Sequence, residues 1–508
     1  MRVTARAALG GILAMCLVGC DSGGSTTPAK VCDTRLPDAL PFAVTRPAVG
    51  DPVSAADVTA FTRKVTGLWK QVGYFQWIGD TSHGVDAATG LPDWSVWWTG
   101  VEVVKAGGAI TFHHSESGGP DNIFIPTSRV LSQLSAGYLL TGDPAMGRVV
   151  AQYAKGLTAS MQGMVWDASD PVRSIMARAV IPNNHTVTLG DGRVKAIDYT
   201  AWRQHTEAWN SHTIHVAQNP YWGDIWVKNM RSKDDVPHIF HAAVWLPWVA
   251  AQAPDETVRA AAAEAWQYVQ GFTKDIVDSG YVIRSKNEDG QIFVPTEDLA
   301  SFVQYEALIP NAECNAKLNA ALIGYGALQG NDCLDGHGGA YETIAVTNHY
   351  YNMAIVRNFH LSAILHSLRT CEDAAAEALM AGLITRIDAD LARPATELPG
   401  DIQVPAWERD LAVYLVQSSA AGLPLTAREV RLVHQYYGQA VDELAAWDKW
   451  NPWDPAVADG TFDYRPRGVV DAEDMAFFLE ACWSPFRATG GEAVVDCDVV
   501  RDPARWGE

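Results

Sequence analysis

The sequence predicts a mainly α-helical fold of about twelve helices in antiparallel pairs, with a few short β-hairpins in the loops. Three observations support this prediction. Apolar residues recur with the period of an amphipathic helix along most of the chain of 508 residues. Helix start and stop signals divide the chain into segments of ordinary helix length. The loops between these segments are rich in Trp, His, Asp and Asn, which are typical of a polar cleft.

The predicted helices follow one another from near residue 56 to near residue 483. Asp143-Pro144 reads as an N-cap followed by the first helical position. Thr296-Glu297-Asp298 places two acids in a first helical turn, where the helix dipole favours negative charge. The predicted helices are 56–73, 128–140, 144–164, 236–252, 255–279, 297–309, 313–328, 346–368, 371–391, 405–419, 425–446 and 471–483.

Few segments have the character of strands. Ala109–His113 is one, and Thr186–Leu189 lies across a turn from Val194–Tyr199. A fourth predicted strand is Tyr281–Arg284. These pieces are short, so we expect them to form hairpins between helices.

The N-terminus has the pattern of an export signal. Arg2 and Arg6 precede the apolar segment Ala7–Val18, which is too short to span a bilayer. The segment ends in L-V-G-C and resembles a bacterial lipoprotein lipobox, which implies that Cys20 is diacylated. We therefore expect a signal peptide over 1–19, a lipidated cysteine and flexible tether over 20–50, and one domain over 51–508. The resemblance implies a lipid-anchored protein of the cell envelope, on a periplasmic or outer face.

Cysteine usage agrees with export. Of the eight cysteines, six remain after Cys16 and Cys20 are set aside, and no C-x-x-C pair occurs. Loop length favours pairing of Cys314 with Cys333 and of Cys482 with Cys497. Cys32 would then pair with Cys371.

The net charge of −21, without a basic stripe, argues against nucleic acid as a partner. An acidic polymer is repelled at long range, which favours neutral or cationic substrates. After the signal segment, no apolar run of about 18 residues predicts a transmembrane helix.

Two phrases resemble the α/α-toroid enzymes of carbohydrate metabolism, such as the six-hairpin glycosidases. Leu134–Met146, L-S-A-G-Y-L-L-T-G-D-P-A-M, is similar to their helix-to-helix turn. Gly84–Asp93, G-V-D-A-A-T-G-L-P-D, is similar to a loop beside their active cleft. The resemblance implies an α/α-toroid that binds an oligo- or polysaccharide. A helical repeat array is the alternative, but no constant repeat period supports it.

Polar residues concentrate in R-S-K-D-D-V-P-H-I-F-H-A, which runs from Arg231 to Ala242. Pro237 predicts a helix start near Val236 with Asp235 as the N-cap, so that His238 and His241 share a face. This pattern is equally that of a capped helix start. If the helix began earlier, Asp234 would join the two histidines as a divalent metal set, with further ligands from His113, His114 or His349.

Two further clusters precede predicted helices. F-H-H-S-E-S-G-G-P-D-N carries His114, Glu116, Asp121 and Asn122 on a glycine-rich turn, which is also a common plain-turn composition. T-N-H-Y-Y-N carries a set with the residue types that α/α-toroid polysaccharide lyases use for β-elimination. That set is Asn348, His349 and Tyr350.

Hydrolysis of a glycosidic bond needs two carboxyl groups about 5–9.5 Å apart and no cofactor. We expect the catalytic pair to be Asp121 with Asp234, because neither is needed as a helix cap, and Asp235 is a further candidate for a catalytic carboxyl group. β-Elimination through His349 and Tyr350 is the second reaction, and a non-catalytic binding lipoprotein or a His/Asp metalloprotein is the alternative class. The predicted substrate-binding residues are Asp93, Trp94, His114, Glu116, Asn122, Trp222, Arg231 and Asn348.

Overall fold

The computed structural model describes about half of the chain, and helices predominate in that part, as predicted. The described residues are 39–46, 49–72, 101–106, 109–114, 124–167, 169–170, 175–183, 186–188, 193–196, 213–229, 235–278, 284–286, 290–293, 361–392, 404–446, 449–450, 476–483 and 491–508.

The helices of the described residues lie close to their predicted positions. Two predicted helices, 297–309 and 313–328, lie outside the described residues. The described helices are α1 Ala55–Val72, α2 Phe124–Thr141, α3 Pro144–Gln162, α4 Asp235–Ala243, α5 Leu246–Gln252, α6 Glu256–Asp278, α7 with its described part 361–370, α8 Asp373–Ala392, α9 Val404–Ala420, α10 Ala427–Ala446, α11 Phe477–Trp483 and α12 Cys497–Val500.

The predicted helix 236–252 is in fact two helices, α4 and α5. Pro247 has no N–H to donate to the carbonyl of Ala243, and its ring clashes with that carbonyl in a continuous helix. The chain tightens just before the proline, where the Trp245 N–H donates to the Ala242 carbonyl at 3.2 Å. The break therefore has a local cause in the sequence.

The predicted start of α8 at Cys371 is also corrected. Cys371 has a φ of 60°, in the left-handed region, and ends α7. The Glu372 N–H then donates to the Ser367 carbonyl at 2.9 Å, as in a Schellman turn. Helix α8 begins two residues later, at Asp373.

The strands form small antiparallel sheets. β1 Val101–Ala106 lies between β2 Ala109–His114 and β10 Lys449–Trp450. β7 Gly223–Asn229 lies between β3 Ala177–Pro182 and β6 Thr213–Asn219. The two remaining pairs are β4 Thr186–Thr188 with β5 Val194–Ala196, and β8 Ser285–Lys286 with β9 Ile292–Phe293.

The predicted strands include β2 and the β4–β5 pair but omit the sheet of β3, β7 and β6. Of the predicted strand Tyr281–Arg284, the structure describes Arg284, which is not part of a strand. The other three residues lie outside the described residues. Strand β8 begins one residue later, at Ser285.

Helix α2 is central to the packing. It contacts α3, α4 and α11, while α9 contacts α10 and α11. In addition, α3 packs against α6, and α1 packs against α10. One cluster of buried apolar side chains extends through all of these helices.

Helices α2, α4–α5 and α11 run in the same direction. The Tyr138 hydroxyl, in the last turn of α2, accepts a hydrogen bond of 3.1 Å from the Asp255 N–H, just beyond α5. Trp483, at the end of α11, packs against Trp245 and Trp248 with ring centroids 4.5 and 5.1 Å apart. The N-terminal ends of α2 and α4 therefore lie together at the other end of the body, while the short helix α11 packs beside the C-terminal half of α2, where Leu479 lies against Gly137.

The C-terminal segment closes the helical body. The predicted disulfide between Cys482 and Cys497 is present and joins α11 to α12. Cys371 is also in a disulfide, whose partner lies outside the described residues. Trp506 is buried and packs edge-on against Phe478, with the ring centroids 5.4 Å apart.

Part of the predicted tether lies against the helical body. Leu40, Phe42 and Val44 pack against the core, and Arg46 donates to Glu429 at 2.6 Å. None of the described helices has the length and apolar character needed to cross a membrane.

Candidate functional site

Helices α2 and α4 begin at the same end of the fold. Helix α3 ends there too, because α2 and α3 pack as an antiparallel pair joined by Gly142 and Asp143. The β6–β7 hairpin is fixed to that end of α3 by Asn219. Its buried amide donates to the carbonyls of Gln162, Gly163 and Val165 at 2.9–3.3 Å.

Most of the predicted site residues lie outside the described residues, so their positions stay predictions. In the sequence, Asp121 precedes the first residue of α2 by three positions and Asp234 precedes the first residue of α4 by one. Asp235 is that first residue of α4, and His114 is the last residue of β2. The residues outside are Cys20, Cys32, Asp93, Trp94, Glu116, Asp121, Asn122, Arg231, Asp234, Cys314, Cys333, Asn348, His349 and Tyr350.

Helix α4 begins within one residue of its predicted start, and both of its histidines point into the protein. His238 and His241 are each 4% exposed, so neither lies on a solvated face. Asp235 is the first residue of this helix rather than its N-cap, which corrects the prediction by one position. A plain helix start does not explain two buried imidazoles one turn apart.

The buried partner of His241 is Glu480, in the first turn of α11. The Glu480 side chain is 2% exposed, and its Oε1 lies 3.9 Å from His241 Nε2. On the other side of the ring, Ser362 Oγ of α7 lies 3.5 Å from His241 Nδ1. Neither His241 Nε2 nor Glu480 Oε1 has a hydrogen-bond partner within the described part of the chain. Three helices thus bring polar groups together in an apolar interior.

The predicted metal pair of His238 and His241 has no third ligand in the described structure. No group of three or more His, Cys, Asp or Glu side chains that could hold a metal ion occurs among the described residues. The proposed further ligands His113 and His114 are strand residues whose side chains are outside the description, as is all of His349.

Trp222 lies in the turn between β6 and β7, at the same end of the body. It is partly buried against the core, and its buried indole N–H has no acceptor among the described residues. The Asn219 side chain fixes the turn, because its oxygen accepts from the N–H groups of Tyr221 and Trp222, both at 2.9 Å.

A buried lysine holds the β8–β9 hairpin to the end of α3. Lys286 is 1% exposed, donates to Asp170 and to the Met164 carbonyl, and lies 5.2 Å from the centre of the Trp166 ring. Burial lowers the pKa of Lys286, and the Asp170 carboxylate opposes this shift. The contacts satisfy the ammonium group, so this cluster is a structural clamp.

A second histidine–carboxylate pair lies in the solvent-exposed part of the β6–β7 hairpin, on a sheet face that is buried on its β3 side. His215 Nε2 is 2.5 Å from Asp224 Oδ1, and the Asn183 amide donates to Asp224 Oδ2 at 2.9 Å. Trp226 donates its indole N–H to Asn183 Oδ1 at 3.0 Å. The hydrogen bond from Asn183, with that from His215, lowers the pKa of Asp224. These four residues are called the sheet network below.

The predicted site omits Glu480 and most of the sheet network, although both have a sequence signal. Glu480 is the one acid in the apolar run F-F-L-E-A-C-W. In the sheet network, His215 on β6 and Trp226 on β7 are register partners, and each alternates with buried residues along its strand. Period-two alternation of this kind predicts one exposed face.

No family model matches the chain, and neither the curated proteins nor the solved structures contain a significant match.

Proposed function

We propose that this chain is a lipid-anchored envelope enzyme that hydrolyses glycans on an α/α-toroid, with Asp121 and Asp234 as its two catalytic carboxyl groups. Cys20 is the proposed lipid attachment site. The observation that carries the proposal is the parallel packing of α2 and α4, the helices that directly follow these two residues.

A toroid accounts for the packing neighbours of the described helices. In such a ring, inner helices contact inner helices and outer helices contact outer helices. In the proposed ring, the inner helices follow one another in the order α4, α2, α11 and α9. The outer pairs are α3 with α6 and α10 with α1. Contact between α1 and α10 joins the two ends of the chain, which favours a closed ring over an open array.

The spacing of packed helices suits glycoside hydrolysis. Directly packed helices have axes about 8–10 Å apart. We propose that two carboxyl groups at the N-terminal ends of such helices can reach the separation of about 5–9.5 Å that glycosidases require. One carboxyl group donates a proton to the glycosidic oxygen. The other removes a proton from the attacking water or attacks the anomeric carbon itself.

The electrostatics of this end favour the ionised member of the pair, the carboxylate that acts as base or nucleophile. The N-terminal end of each helix carries a partial positive charge, and α2 and α4 direct theirs to the same side. The overall charge of −21 repels acidic polymers, so neutral glycans are the proposed substrates.

The test measures turnover of the full-length protein, purified in mild detergent, on a panel of neutral polysaccharides. Release of reducing ends reports hydrolysis, and absorbance of an unsaturated product reports β-elimination. We expect Asp121→Asn and Asp234→Asn each to lower kcat by about 10²–10⁴-fold, the usual contribution of a general acid or base.

Asp442→Asn is the matched control, because this exposed carboxylate on α10 pairs only with Lys64 in the described structure and its side chain is 69% exposed. It should leave kcat unchanged. Full activity of either the Asp121 or the Asp234 variant contradicts the assignment, and no turnover on any panel member contradicts the hydrolase. An unsaturated product lost in His349→Ala and Tyr350→Phe would indicate a lyase instead.

A further inference from the structure

The sheet network lies on the sheet that is fixed to the end of α3, and its ion pair is exposed to solvent. His215 is 40% exposed and Asp224 is 48% exposed, and an exposed ion pair contributes little stability. Its four side chains nevertheless form one ordered chain of hydrogen bonds. Such order on an exposed surface suggests recognition of a ligand.

The position of the network follows from its anchors. Asp224 is the second residue of β7, and Asn183 directly follows β3. The same turn is fixed to the end of α3 by Asn219. The opposite face of the sheet packs on the end of α3, where Val180 lies against Gly163. The network is therefore on the face that points away from α3, at the end of the body where α2 and α4 begin.

The hydrogen-bond directions within the network are fixed. The Trp226 indole is a donor only, so the atom that it contacts on Asn183 is the oxygen, and the Asn183 amide nitrogen faces Asp224. Asp224 accepts this bond and, as an ionised carboxylate, also accepts a hydrogen bond from His215 Nε2–H. In neutral His215 this arrangement leaves Nδ1 as the acceptor.

The network therefore offers acceptors and a donor around an aromatic surface. The acceptors are His215 Nδ1 and the remaining lone pairs of Asp224, and the donor is the second amide hydrogen of Asn183. The rings of His215 and Trp226 stack with their centres 4.9 Å apart and 25° between their planes. A sugar ring presents the complementary features, namely hydroxyl groups that donate and accept and an apolar face of C–H groups.

We propose that the sheet network is a subsite for a neutral sugar ring of the glycan, beside the catalytic end. The proposal rests on the proposed function for the identity of the ligand. The ionised Asp224 carboxylate would repel a uronate, and the charge of −21 acts in the same sense.

The experiment titrates neutral glucose, mannose and N-acetylglucosamine hexasaccharides into full-length Asp234→Asn protein, in which hydrolysis is blocked, by isothermal titration calorimetry. We expect at least one to bind. His215→Ala and Asp224→Asn should weaken that binding about tenfold or more, as expected for loss of a hydrogen bond to a charged group. Trp226→Phe retains a ring but removes the indole donor, and should weaken binding by less. Asp442→Asn is the matched control.

Thermal unfolding of each variant separates recognition from structure. The subsite predicts weaker binding at an unchanged Tm. A lower Tm with unchanged affinity would overturn it, as would equal affinity for hexauronates or no binding of any neutral hexasaccharide.

The two proposals fail separately. If the protein binds but never cleaves neutral glycans, the subsite stands and the hydrolase falls. If cleavage depends on Asp121 and Asp234 while His215→Ala leaves KM unchanged, the hydrolase stands and the subsite falls. If both hold, His215→Ala raises KM with little change in kcat, as expected for a group that only binds.

Discussion

Two histidine–carboxylate pairs of this protein lie in opposite surroundings. His241 and Glu480 meet inside the helical body, 3.9 Å apart, and the atoms that face each other have no hydrogen-bond partner among the described residues. His215 and Asp224 lie on an exposed sheet, where Asn183 and Trp226 complete their hydrogen bonds. The same two kinds of side chain are thus under-satisfied where water is excluded and fully ordered where water is present.

The two pairs differ in the free-energy cost of their burial and in their access to a ligand. A polar group removed from water costs free energy unless it is hydrogen-bonded, so the His241 pair must be held in place by the packing around it. The exposed pair carries no such cost, and its order leaves it ready to contact a ligand. Burial of a titratable group alone is therefore a poor guide to the binding surface of this molecule.

Truncation of the buried pair should give the largest effect. We expect His241→Ala to lower the free energy of unfolding by about 3–5 kcal/mol, because it leaves the Glu480 carboxyl buried without its neighbour and opens a cavity. Equilibrium denaturation in urea measures this loss.

The matched variant is His215→Ala on the exposed sheet. It removes the same side chain from the same kind of pair, and we expect a loss below about 1 kcal/mol. Equal losses in the two variants would show that burial does not distinguish the pairs.

The disulfide beside Glu480 should give the next effect. Cys482 follows Glu480 by two residues, and its bond to Cys497 closes a loop with a sequence separation of 15. The double variant Cys482→Ser/Cys497→Ser should lower the free energy of unfolding by about 3 kcal/mol, the cost for a loop of this length. The loss should disappear when wild type and variant are compared under reducing conditions. A persistent difference there would assign the effect to the serines.

Local signals in the sequence predict the helices well. Asp143 is the N-cap of α3, as expected, and its carboxylate accepts from the N–H groups of Ala145 and Met146 at 2.7 and 3.3 Å. The disulfide between Cys482 and Cys497 follows from a short loop in the same way. These features depend on residues close to one another in the chain.

The sequence does not predict features that join distant segments of the chain. The contact between His241 and Glu480 spans more than two hundred residues, and no periodicity identifies it. The sheet of β3, β7 and β6 pairs β3 with a strand about 45 residues later, and its strands are short. The same limit applies to Asp121 and Asp234, whose predicted convergence depends on helices that are far apart in sequence.

The smallest effect concerns pH and extends the comparison to other buried histidines. Burial, together with the nearby Arg369 guanidinium, lowers the pKa of His366 from its ordinary 6.5 to about 3. Burial also lowers the pKa of His434, which contacts the Val494 carbonyl at 2.7 Å. In the unfolded chain both histidines take up a proton below pH 6.5, whereas the folded protein resists this uptake.

The unfolded state therefore binds more protons as the pH falls from 6.5, and the free energy of unfolding decreases by up to about 1.4 kcal/mol per pH unit for each such histidine. Between pH 6.5 and 4 this loss is distinct from that of the carboxylates with lowered pKa values, such as Asp224, which begins near pH 4. We expect His366→Gln to flatten the dependence in that window by about one proton, measured by urea denaturation at each pH. If the pH dependence of the free energy of unfolding is unchanged in His366→Gln, then His366 is already protonated in the folded protein in this window and its pKa is not lowered.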